Sequence, residues 1–246
     1  MKPPAFLIFV FFCLFVSGCI TIYNPATERD EVYFISEETE IEIGGNLAKK
    51  IVNDNKMVDD PARSDFLKKI GNKIAGASDR SSLTYNFYIV DDGQMNAFAL
   101  PGGYIFVNKG LIDKTTRDEL AFVLAHEIGH VTARHSLKRL QASLGLGLLI
   151  DIALGSSDKA NIRQAVDIAY GVIASGYSRK DELLADSLGI KYVYAAGYDP
   201  EAAITLLKNL ERETDQGYTP IFLRSHPVIE DRISNVKDKI KTLNQP

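Results

Sequence analysis

The chain has 246 residues, 46% of them hydrophobic and 24% charged, with a formal net charge of -4. This is ordinary globular composition for one folded unit. The lack of a basic excess excludes a nucleic-acid binder, which needs cationic surface to neutralise phosphates.

Lys2, an apolar run over residues 5–16 and small residues before Cys19 have the layout of a secretory signal. The run is too short to cross about 30 Å of hydrocarbon as a helix. The stretch FVSGC resembles a bacterial lipobox, which implies that residues 1–18 are removed as a lipoprotein signal peptide and that Cys19 is lipidated. An ordinary secretory signal with an incidental cysteine is the alternative. On the lipobox reading Cys13 leaves and Cys19 is acylated, so no free thiol or disulfide remains and stability must come from the core and any bound metal.

Residues 20–35 show no helical period, and with Cys19 they read as a lipidated tether (19–35) that begins to pack near Tyr33 and Phe34. Residues 36–246 form the expected folded domain. Ser36 followed by acids predicts a helix, in which Gly44 and Gly45 either weaken the element or mark close packing. Asp60 can cap a second helix with Pro61 at its first position, and Phe66, Leu67, Ile70 and Ile74 make its apolar face. Alternation of aromatic and β-branched residues predicts two short strands, over 83–92 and 104–110. Residues 144–155 are apolar but short and contain Asp151, which favours a buried or surface-lying segment over a membrane span. Helices resume at Ser178 and end near Gly197, restart at Asp199 and Pro200, and a last one follows His226. The class expected is α+β, mainly helical.

The chemistry gathers in LAHEIGHVTARH, residues 124–135. Thr116 and Glu119 form a capping box ahead of an apolar face, so His126 and His130 share a helix. Four residues leave the two imidazoles about 40° apart on one face, one turn up, where both can reach one ion. Glu127 points about 100° away, as suits a carboxylate that acts on water rather than on the metal. His135 comes five residues after His130, and no breaker is evident between them. An uninterrupted helix would turn it about 140° away, so it is expected to face elsewhere, in a structural hydrogen bond. A further ligand must come from another element. SRKDELLADSLG offers Glu182 and Asp186 on one helical face, one able to bind a metal and the other to hold a histidine N–H.

Four motifs in order, NAFALPGGYIFV, HEIGH, SRKDELLAD and SHPVIEDRI, resemble the HtpX-like and CAAX prenyl protease family of gluzincin zinc metallopeptidases, over roughly residues 30–240. The lipobox makes the chain most similar to the family's periplasmic lipoprotein branch. The resemblance implies a zincin-type domain with a small sheet whose edge strand flanks the zinc cleft. It implies one Zn2+ per chain on His126, His130 and Glu182, Glu127 as general base and Asp186 in support. It also implies that Asn96, Ala97 and Phe98 lie where substrate pairs with the edge strand. His226 and Arg232 match positions proposed to stabilise the oxyanion, while in the lipoprotein branch the histidine can instead cap the zinc and hold the enzyme latent. The function implied is membrane-anchored proteolysis of misfolded envelope proteins, facing the periplasm and near the outer-membrane assembly machinery. Ile20, being other than Asp, favours outer-membrane sorting. A chaperone-like holdase using the same groove is the alternative. A structural zinc site is disfavoured, because such sites close with four Cys or His ligands.

Overall fold

The computed structural model describes residues 20–154, 159–215, 221–226 and 229–243. The leader and Cys19 lie outside the described residues. The expected tether is instead paired: β1 (Ile20–Asn24) and β2 (Arg29–Tyr33) form an antiparallel hairpin. Its strands are short and its turn is local, so a reading for helical period has nothing to detect. Tyr33 is buried under the Arg134 guanidinium, whereas Phe34 is 53% exposed.

Two capped helices follow. The Ser36 side chain accepts from Thr39 N–H at the start of α1 (Glu37–Asp54), and Asp60 accepts from Arg63 N–H ahead of Pro61 in α2 (Pro61–Gly76). Each such cap is worth about 1 kcal/mol. Gly44 is a packing glycine, since a Cβ there would collide with the Pro101 carbonyl. Leu67, Ile70 and Ile74 of α2 are buried, but Phe66 is 41% exposed and does not belong to the core face.

Where alternation predicted two strands there are three: β3 (Asn86–Val90), β4 (Ala97–Leu100) and β5 (Tyr104–Asn108), in the order β3-β5-β4. β3 runs parallel to β5 and β4 antiparallel to it, leaving β4 at an edge. The period of two splits the sheet's side chains between two cores. Phe87, Ile89, Ala97, Ala99, Ile105 and Val107 face one core, while Phe106 faces the other with Tyr88 and Phe98 stacked on its two sides.

The remainder is helical: α3 (Lys109–Lys114), α4 (Arg117–Thr132), α5 (His135–Leu154), α6 (Lys159–Ala174), α7 (Arg179–Ala195), α8 (Ala202–Asp215), α9 (Ile221–Ser225) and α10 (Ile229–Leu243). Helix α6 lies where no element was expected; Val166, Ala169 and Ile173 carry a helical period, but the apolar run of α5 just before them masks it. Residues 144–154 are the end of α5, and among the described residues no helix is long and apolar enough to cross a membrane. The molecule is thus a mainly helical α+β protein, with α4 central to the first core.

The uninterrupted helix expected through His135 is corrected. α4 stops at Thr132, Arg134 adopts φ 54°, and α5 starts at His135. Left-handed backbone is unfavourable for arginine. Tertiary partners hold it there: Arg134 Nε lies 3.2 Å from Glu40 Oε2 and the guanidinium stacks on Tyr33, 4.5 Å from its ring centre.

Candidate metal centre

Helix α4 is positioned by its capping box, in which Thr116 Oγ1 accepts from Glu119 N–H and the Glu119 carboxylate accepts from Thr116 N–H. Its neighbour α7 has a box of its own between Ser178 and Asp181. Two glycines let these helices touch. A Cβ on Gly129 would stand 3.0 Å from the Ala185 carbonyl oxygen, and one on Gly189 would stand 3.3 Å from His126 N. This close approach brings the carboxylates of α7 to the imidazoles of α4.

The structure brings together His126, His130, Glu182 and His226, with one donor atom from each lying within 4.8 Å of all the others. His126 Nε2 is 3.1 Å from His130 Nε2 and 3.2 Å from His226 Nδ1. Glu182 reaches His126 Nε2 at 3.5 Å, His130 Nε2 at 3.4 Å and His226 Nδ1 at 3.0 Å. All four residues are buried.

The outer nitrogens are each committed. His126 Nδ1 donates to Asp186 Oδ1 at 2.9 Å, which turns Nε2 towards the cluster, where it would offer a lone pair to a bound ion. His130 Nδ1 faces His135 Nδ1 at 2.9 Å, and His135 Nε2 lies 3.4 Å from Asp181 Oδ1. The network assigns the proton between the two histidines to His130, because His135 directs its own N–H towards the carboxylate. His135 is therefore not in the ligand group but does hold one of its members. Tyr177 completes this side by stacking on His130 with ring centres 3.9 Å apart. The structural hydrogen bond expected of His135 is present, but its partner was not foreseen because it depends on the break at Arg134, and Tyr177 carries no motif.

Arg232 is fully buried and turned inward. Its Nε and Nη2 donate to the two Asp186 oxygens at 2.8 Å each, and Nη1 donates to the His226 carbonyl at 3.1 Å. Nη1 also lies 3.3 Å from Glu182 Oε2, so in this arrangement Arg232 positions the residues of the group. Asn96 precedes the edge strand, and Ala97 and Phe98 start it.

Charge in the cluster follows from burial set against these pairs. Burial and Arg232 push the His126 pKa down, but Asp186 and Glu182 outweigh them and lift it to about 9. Burial dominates at His130 and His135 and lowers each to about 3. Burial alone would raise Glu182, yet His226 and the contacts from His126 and His130 hold its carboxyl far below the usual range. Glu127 is the opposite case, raised by burial. Neither of its carboxylate oxygens makes a hydrogen bond among the described residues.

Three imidazole nitrogens and a carboxylate are a donor set suited to a borderline divalent ion such as zinc. Glu182 Oε2 and His226 Nε2 are also buried without hydrogen bonds, their nearest charged neighbours being Arg232 Nη1 and Glu127 Oε1, each 3.3 Å away. Buried orphans of this kind are costly unless a cation or proton satisfies them, so the residues present fit a metal.

Comparison with known proteins agrees with this chemistry. The model of peptidase family M48 matches residues 61–240. The chain is 25% identical over 236 residues to the beta-barrel assembly-enhancing protease of Escherichia coli (strain K12), covering 92% of this chain and 48% of that protein. It is 24% identical over 252 residues to the metalloprotease LoiP of the same strain, covering 98% of both. It is 27% identical over 221 residues to the mitochondrial metalloendopeptidase OMA1 of Schizosaccharomyces pombe, covering 88% of this chain and 65% of that protein. The chain spans less than half the length of the beta-barrel assembly-enhancing proteases it matches.

Proposed function

The chain belongs to peptidase family M48, and on that premise we propose that it is a zinc endopeptidase of the bacterial cell envelope acting on unfolded envelope proteins. The observation that carries the reading is the buried His126, His130 and Glu182 group with the Glu127 carboxylate beside it, which makes no hydrogen bond among the described residues and has only His226 Nε2 nearby, at 3.3 Å. Zinc held there supplies a Lewis acid that polarises the scissile carbonyl and eases deprotonation of water.

Glu127 takes the proton from the attacking water and passes it to the leaving nitrogen. Its raised pKa suits both halves of that transfer. Asp186 and His135 keep His126 and His130 in the tautomer that presents Nε2 to the ion. Edge strand β4 offers its backbone to an extended substrate, which is why an unfolded chain is the expected client. The lipobox-like leader supports attachment through Cys19 on the periplasmic side of the outer membrane, and the name of the E. coli beta-barrel assembly-enhancing protease supports a place near the assembly machinery of outer-membrane proteins.

His226 favours a second feature of the same function. Its Nδ1 lies 3.0 Å from Glu182 Oε1 and its Nε2 lies 3.3 Å from Glu127 Oε1, inside the ligand group. Four protein ligands close a zinc site, whereas three leave it open to substrate. The arrangement is a latent state, and activity requires His226 to withdraw.

The test compares wild type with Glu127→Gln for metal content and for cleavage of casein. Retained metal with turnover lowered about 10²–10⁴-fold is expected. Because the resting state is latent, the pair is also compared on a His226→Ala background; equal cleavage there would refute the assignment, and binding of unfolded protein without any Glu127-dependent cleavage there would favour the holdase.

A further inference from the structure

A mainly apolar cavity of about 170 Å³ lies between the edge strand and α6, with Phe98, Tyr170, Ile173 and Tyr177 among its walls and Arg224, Ser225 and His226 on its polar side. An apolar cavity of about 150 Å³ accommodates benzene, so this one has room for a single phenyl or branched aliphatic side chain and little more. Phe98 and Tyr170 face each other edge to face, with ring centres 5.9 Å apart. Ile173 and Tyr177 are buried within it, whereas Tyr170 is 40% exposed.

Position ties this cavity to the chemistry. Tyr177 presses one ring face against His130, so the cavity and the ligand group share a wall one ring thick. Asn96, just before β4, and Phe98 on it both line the cavity while Ala97 between them is buried in the first core. A chain paired with β4 would send every second side chain to that same face. Asn96 Oδ1, also at the cavity, is buried without a hydrogen-bond partner among the described residues and is available to accept a backbone N–H. Withdrawal of His226 removes a partition between cavity and ligands but leaves the walls from β4 and α6 in place.

We propose that this cavity is the specificity subsite, receiving an aromatic or branched aliphatic side chain from the residue that borders the scissile bond. The inference rests on the protease reading and adds to it a preference set by Phe98, Tyr170 and Ile173.

The experiment maps cleavage of an unfolded peptide library by mass spectrometry for wild type, Ile173→Phe and Tyr170→Glu. In parallel, two labelled peptides differing only by Phe or Ala at the bordering position are titrated against Glu127→Gln, read by fluorescence anisotropy. Wild type should enrich Phe, Tyr, Leu and Met at one position flanking the cut. Ile173→Phe, which fills the cavity, should shift the preference to Ala, Ser and Gly, by at least tenfold in relative kcat/KM. Tyr170 is exposed, so Tyr170→Glu tests the site even where Ile173→Phe fails to fold, and it should lower the apolar preference. The Phe peptide should bind Glu127→Gln at least tenfold more tightly than the Ala peptide. Glu127-dependent cleavage with no apolar preference at either flanking position, or a preference unmoved by the folded variants, overturns the subsite and leaves the protease standing. Absence of Glu127-dependent cleavage refutes the protease reading, and in that case equal affinity for the two peptides overturns the cavity's role as well.

Discussion

Arg232 holds Asp186 in a two-pronged grip, Nε to Oδ2 and Nη2 to Oδ1, both at 2.8 Å and both residues out of contact with solvent. Asp186 in turn accepts from His126 Nδ1. The orientation of one imidazole in the ligand group is thereby set from α10 by way of α7. A fully desolvated fork of this kind is strongly directional.

Arg232→Ala leaves the Asp186 carboxylate buried without its counter-ion. Removing one partner of a buried pair costs about 3–5 kcal/mol, and a loss of that size is expected in urea unfolding. Arg232→Lys should recover only part of it, because an ammonium cannot reproduce the fork. A loss below about 1 kcal/mol in Arg232→Ala would mean that the pair does not hold the fold.

The same pair has a signature in acid. Despite burial, Arg232 and His126 hold the Asp186 pKa below its ordinary 3.8. A depressed carboxylate contributes stability that is complete above the unfolded pKa and is lost as pH falls through the folded one. In chelator-treated protein, the stability gap between wild type and Asp186→Asn should be constant from about pH 5 to 6 and shrink below pH 3.8. Below pH 6 His126, raised to about 9, stays protonated and adds no slope. A gap that widened towards acid would contradict the assignment.

His226→Ala opens the fourth position without touching His126, His130 or Glu182. Casein cleavage should rise over wild type while one metal per chain is kept. Loss of metal would show that His226 is needed to hold the ion, and unchanged cleavage would remove the latent state from the account.

His135→Phe deletes the acceptor for His130 Nδ1–H. Loss of such a supporting contact typically weakens metal binding about 10–100-fold, measurable by competition with a chromogenic chelator. Asp181→Asn should have a smaller effect, since its 3.4 Å contact is longer and its carboxylate is 32% exposed. An unaltered competition curve for His135→Phe would show that His130 needs no such support.

Features written in local spacing were legible before any coordinates. The capping residues Ser36, Asp60, Thr116 and Ser178 start helices as their chemistry requires, and His126 and His130 share the face that a four-residue step dictates. What escaped depends on partners far along the chain. The left-handed Arg134 is held by Glu40 and Tyr33, roughly a hundred residues earlier, so nothing near His135 announces the break. Arg232 sits in a polar stretch that gives no hint of burial, because the Asp186 carboxylate that neutralises it comes from α7, well before it in the chain. The β1–β2 hairpin escaped for a different reason, since five-residue strands offer too few turns of any period to register.

Gly129 and Gly189 place main chain against main chain where α4 crosses α7. At these two points the nearest neighbours are backbone atoms, so side-chain rotamer hops there do little to widen or narrow the gap between the imidazoles and the Glu182 carboxylate. The bite of the centre is templated by two rigid rods in contact. Its dimensions should therefore survive repacking of the surrounding core and yield only to changes that force the rods apart.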